Sequence, residues 1–221
     1  MAIAQFDLMT FLLVLSRMSG LFISAPVLSS RQLPRMIKTV AAIGISGFMS
    51  LFVQAGDPAV LTSSGLFILA VIMEVFVGYV IGFVAFVLFA AIQLAGQFMD
   101  MGIGFGMVNV IDPQSGIQVP ITGNFVYLLA LVVYLNLNGH HHLFQAIVTS
   151  YQTIPVLGLQ LSGSMVQLFM NITASMFLIA VQFAAPIIIA LLITDLGMGF
   201  IARTVPQMNI FIVGLSLKIL V

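Results

Sequence analysis

Apolar residues in this chain come in long blocks separated by short polar connections. The first block runs from about Leu8 to Leu28 and is interrupted by Arg17. The second spans about Ile37 to Val53, the third Gly65 to Phe98, the fourth Ile121 to Leu137 and the fifth Met165 to Ile193. A sixth begins near Met208 and stops at Val221. Between them lie a basic segment (Arg31, Arg35 and Lys38 around Pro34), a polar stretch with the turn signal Asp57-Pro58, a Gly-rich segment from Asp100 to Pro120, and two polar connections, Asn138–Ser164 and Thr194–Gln207. Blocks near ~20 residues predict helices of membrane length. The third is too long for one perpendicular crossing, so its helix tilts, projects beyond the bilayer or lies within protein. Pro186 predicts a kink in the fifth. The sixth, at about 14 residues, falls short of a span and is expected to be a short protein-packed helix or, preferably, one cut off by a truncated C-terminus. The pattern predicts an all-α, multi-helix membrane-type protein forming a single helical domain over residues 1–221.

Composition fixes the solvent. Soluble domains devote about a quarter of their residues to Asp, Glu, Lys and Arg. Here the charged fraction is 5%, against 62% hydrophobic residues and a mean hydropathy of +1.25, so the surface must face lipid or apolar protein. The net charge is zero, which gives no footprint for nucleic acid. With no cysteine, disulfides and thiolate chemistry are excluded. The segment Met1–Asp7 has no basic stretch, so the first block is expected to be retained rather than cleaved as a signal. In place of tryptophan, 19 Phe and 14 Met supply bulk.

With six alternating spans, the loops carrying Arg31, Arg35, Lys38 and Arg203 fall on one side. The positive-inside rule makes that side cytoplasmic and puts the N-terminus and Asp57 outside. The helices of Arg17 and Glu74 then enter from the same side. At 1.5 Å per residue both charges sit at ~12–14 Å depth. A lone charge at a helix centre costs about 2.5–3.5 kcal/mol, so a buried Arg17–Glu74 pair is expected in preference to a proton relay. Gly78, Gly82 and Ala85 form a small-residue face suited to close helix contact.

The stretch Gly102-Ile-Gly104-Phe105-Gly106-Met107-Val108-Asn109-Val110-Ile111-Asp112-Pro113-Gln114-Ser115-Gly116 joins two membrane-length blocks yet is itself largely apolar. Water-exposed loops are more polar, and irregular backbone at membrane depth needs surrounding protein or a water-filled cavity. The composition fits a flexible linker or a sheltered gating loop. A phosphate cradle is disfavoured, because no strand precedes the glycines and no Gly-Lys-Ser/Thr follows. His140, His141 and His142 diverge on either a helix or a strand and have no Cys, Asp or Glu nearby, so an interfacial loop is expected rather than a metal site. Asn171-Ile-Thr173 matches a glycosylation pattern but lies in an apolar block. No nucleophile–base constellation emerges, and neither catalytic residues nor a cofactor are expected.

Five stretches, in order, resemble the FliR family of flagellar export-gate proteins and its counterparts in virulence type III secretion. They are Arg17-Met-Ser-Gly20 with Ala25-Pro26; Glu74-Val-Phe-Val-Gly78 with Gly82; the Gly102–Gly116 loop with Asp112-Pro113-Gln114-Ser115-Gly116; Asn138-Gly139-His140-His141; and Ala185-Pro186, Asp195 and the run from Ala202-Arg203 through Pro206-Gln207, Asn209 and Phe211. The flagellar branch fits better. The resemblance implies a non-enzymatic subunit of a heteromeric gate in the bacterial inner membrane and flagellar basal body. It implies FliP and FliQ as neighbours, FlhB as an associate, membrane lipid around the complex and unfolded proteins as export substrates. It implies helical hairpins in a spiral assembly that projects to the periplasmic side. It further implies that the central loop, from Gly104, Phe105, Gly106 and Met107 through Asn109 to Gly116, plugs the conduit. The rival reading is a self-contained small-molecule transporter, with Pro186 and the Gly102–Gly106 glycines marking broken helices.

Overall fold

In a computed structural model of the chain, the described residues are 8–30, 33–53, 64–105, 120–156, 158–159, 163–205, 207 and 209–221. Among them the regular elements are seven helices: α1 (Leu8–Ser24), α2 (Arg35–Ser50), α3 (Ser64–Ile103), α4 (Ile121–Asn136), α5 (Gly139–Thr153), α6 (Gly163–Thr204) and α7 (Ile210–Leu220). Contacts divide the chain into two compact units. The first holds residues 1–87 and 133–169, the second 88–132 and 170–221.

The first unit is built on α1. Val14, Met18, Leu21 and Phe22 recur at helical spacing and bury against Ala42 and Met49 of α2 and Leu143 and Ile147 of α5. Its axis lies almost against that of α3. A Cβ on Gly20 would overlap the Val75 carbonyl, and one on Gly78 would overlap the Arg17 carbonyl. Gly82 meets Ser24 and the Ala25 backbone in the same way. The glycine face of α3 is therefore the seat of α1, as small residues allow where helices pack closely.

The second unit repeats the device once. Ala91, Ala95 and Met99 of α3 pack on Ala180 and Ala184 of α6. On the α4 side, a Cβ on Gly96 would overlap the Gly123 Cα. Phe89 and Tyr127 close this contact edge to face, with ring centroids 5.7 Å apart.

Three expectations change. Asn138–Ser164 is not a plain connection, because α5 occupies its first half. Asn138 takes the left-handed conformation (φ 55°), which Asn tolerates, and α5 leaves α4 at 64°. The three histidines thus sit on the first turn of a helix. Thr194–Thr204 continues α6, which stays helical through Pro186. Finally, α3 and α6 are each long and apolar enough to cross a membrane, and α4 with α5 forms one bent pair that passes together. The other helices are shorter, at 17, 16 and 11 residues, so six equivalent crossings are not what the described residues form. Block pattern was a poor guide because Thr194 and Asp195 lie within a helix, and Asn138 follows the end of one helix only to open the next.

Candidate functional site

Arg17 is fully buried in the first unit and Glu74 is 1% exposed. The guanidinium holds the carboxylate at two points, Nε donating to Oε2 at 2.5 Å and Nη2 to Oε1 at 2.9 Å. Nη1 donates to Ser150 Oγ at 2.8 Å, and Nη2 also reaches the Ile154 carbonyl at 3.1 Å. The guanidinium lies over the Tyr151 ring, its carbon 3.7 Å from the ring centroid. Ser150 Oγ in turn donates to the Ile147 carbonyl at 2.6 Å. α1, α3 and α5 are thus joined at one point. Both carboxylate oxygens are engaged by a permanently charged partner, which suits a structural tie. A cleft of about 380 Å³ beside Ser150 is lined by apolar residues such as Phe76, Val80, Ala146 and Met165, with no charged side chain among the described residues.

In the second unit, the residues that flank the Gly-rich loop form the other candidate. Of the expected loop residues, Gly104 and Phe105 are described. Gly106, Met107, Val108, Asn109, Val110, Ile111, Asp112, Pro113, Gln114, Ser115 and Gly116 lie outside the described residues. Gly104 ends α3 with φ 103°, a conformation glycine adopts at no steric cost, and its N–H donates to the Asp100 carbonyl at 3.1 Å. Beyond the loop, Pro120 opens α4, a position where its missing N–H costs nothing. The first free amides of α4 are taken by Asp100: Thr122 N–H donates to Oδ1 at 3.0 Å and Gly123 N–H to Oδ2 at 3.3 Å. Asp100 is 5% exposed. The residue before the loop therefore caps the helix after it.

Sequence reasoning did not single out Asp100, Gly96 or Gly123. The available signal was an acidic residue closing an apolar block, with Pro120-Ile-Thr-Gly123 about a helix turn beyond the loop. Among the described residues, the histidines of α5 join no metal-like cluster, and no group of three or more His, Asp or Glu side chains converges.

Helices as the regular elements of the described residues, two of them of membrane-crossing length with apolar side chains facing outward, and a buried ion pair tying three helices define a membrane-type helical protein. The family profile described as "Bacterial export proteins, family 1" matches residues 8–221. The chain is 38% identical to the flagellar biosynthetic protein FliR of Bacillus subtilis (strain 168) over 219 residues, covering 96% of this chain and 82% of the relative. It is 28% identical to FliR of Escherichia coli (strain K12), covering 94% and 78%. It is also 28% identical to the Yop proteins translocation protein T of Yersinia pestis, covering 97% and 83%. The chain belongs to the bacterial export proteins, family 1.

Proposed function

We propose that this chain is a non-enzymatic subunit of the flagellar type III protein export gate, acting in the bacterial inner membrane at the flagellar basal body. Membership of the export family supports the class of apparatus, and the 38% identity to the Bacillus subtilis flagellar relative, against 28% to both the Escherichia coli flagellar and the Yersinia pestis virulence relatives, favours the flagellar branch. The observation that carries a multi-subunit gate is the length and covering of α3 and α6. Their 40 and 42 residues are both strongly apolar. At 1.5 Å per residue each is ~60 Å long, about twice the ~30 Å of hydrocarbon that a bilayer offers. Along α6, Val166, Met170, Phe177, Val181, Leu192 and Phe200 are all exposed. Lipid covers half of such a helix; apolar companion subunits cover the remainder.

In this reading the companions are FliP and FliQ, with FlhB associated. The subunits pack as helical hairpins in a spiral around a conduit for unfolded export substrates, and part of the assembly stands on the periplasmic side. Residues 104–116 plug the conduit. The carrier alternative draws less support, since α6 continues through Pro186 rather than breaking there. Two measurements test the proposal. Extraction in mild detergent should give a complex whose mass requires several copies of small apolar partners. Deleting 106–116 should leave that mass unchanged while membranes become leaky to ions. A chain that purifies alone and transports a small solute in liposomes overturns the gate, and a tight deletion mutant overturns the plug.

A further inference from the structure

Lys218 of α7 adds a second anchor to the loop's base. Its Nζ donates to the Gly102 carbonyl at 3.3 Å, one of the last acceptors of α3, and pairs with Asp195 of α6 at 2.7 Å. Leu215, one turn earlier on α7, approaches Gly104 so closely that a Cβ there would stand 3.3 Å from it. A helix leaves unsatisfied carbonyls and partial negative charge at its C-terminus, and unsatisfied amides and partial positive charge at its N-terminus. Each end that borders the loop is met by a side chain of the opposite sign: Lys218 at the end of α3, Asp100 at the start of α4. The backbones touch one turn away, where Gly96 faces Gly123.

We infer that Asp100 and Lys218 are positioning residues that fix the base on either side of the loop, Asp100 by holding the start of α4 to α3 and Lys218 by holding the last turn of α3 to α6. Resting on the plug reading, the clamp would set where the plug sits; the geometry of the base does not depend on that reading. Asp100 is the stronger arm, being buried and bonded to two amides, one of them in a buried bond. Lys218 is the weaker arm, partly exposed and shared with Asp195. It ties the last turn of α3 to α6.

The chain has no cysteine, so labels can be placed without removing native thiols. Met101 on the last turn of α3 and Ile121 at the start of α4 are both exposed. Nitroxides on Met101→Cys and Ile121→Cys, read in the intact detergent-extracted complex, should show strong, narrow dipolar coupling. Adding Asp100→Ala should abolish that narrow coupling; Asp100→Asn, which keeps one acceptor, should spread it less; Lys218→Met should spread it least. A control pair on Ile23→Cys and Met36→Cys should be unaffected by all three. Unchanged coupling at 101–121 in Asp100→Ala overturns the clamp, and so does an equal change in the control pair, which would mean general loosening. If Asp100→Ala fails to assemble, the Asn variant decides by the same criterion. Ion leak is measured on the same samples. Released stems without a leak leave the clamp standing and remove the plug.

Discussion

Arg17 and Glu74, 57 positions apart, form a two-point ion pair inside the first unit, and Arg17 spends two further N–H groups on Ser150 and the Ile154 carbonyl. The pair joins three helices where no water competes. Such a pair contributes less through its own attraction than through the penalty of breaking it. Removing Glu74 strands a buried cation.

Glu74→Ala is therefore expected to destabilise the subunit by about 3–5 kcal/mol, the cost typical of leaving one buried partner alone. Replacing both residues with apolar side chains of similar volume, Arg17→Met with Glu74→Leu, should recover most of that loss. Thermal unfolding of the purified complex measures both. A single mutant as stable as the parent would contradict the burial and bonding of the pair.

Gly78→Ala should separate α1 from α3, because its new Cβ would overlap the Arg17 carbonyl, and backbone cannot step aside as a side chain can. Gly65→Ala, on the same helix with nothing within 4 Å, should be neutral or slightly stabilising. The yield of assembled complex for the two variants checks the contrast. Gly20→Ala should match Gly78→Ala, since it presses on the other side of the same contact.

At Gly104 the constraint is conformational. A φ of 103° is strained for any L side chain, and Leu215 leaves little room. Gly104→Val is expected to cost more than about 1 kcal/mol and to disturb the end of α3. Hydrogen exchange at the amides of Met101 to Gly104 should accelerate, while exchange along α1 should not.

The Asp195–Lys218 pair is partly open to solvent, so its own strength should be small. Asp195→Asn is expected to change stability by less than about 1 kcal/mol and to narrow the difference between melting at low and high salt. A large, salt-independent loss would show that the pair is shielded in the assembled complex.

Much of this protein is written in its residue types. The scarcity of charge set the class of environment, because a surface without ionic groups cannot be hydrated. The all-α class followed from apolar blocks of helical length. The meeting of Arg17 with Glu74 was legible as equal depth in two helices, since a helix rises by a fixed step and a lone charge in an apolar block is costly. The glycine face at Gly78 and Gly82 was visible, but not that Arg17–Leu21 and Ser24–Ala25 are what it receives.

Other features needed the fold. Helix α5 mixes His140–His142, Gln145 and Thr149 with Leu143 and Ile147, so its many polar residues hid a helix that buries one narrow face. Helix α6 continues through Thr194 and Asp195 because Thr194 bonds back to the Ala190 carbonyl and Asp195 meets Lys218, leaving neither polar group unpaired. Asp100 looked like the first polar residue of a loop; only the approach of Gly96 to Gly123 brings the amides of α4 within its reach. Sequence fixes how much apolar surface there is and how far each helix rises. Which backbones touch, and therefore which buried polar groups find partners, is decided when the helices pack.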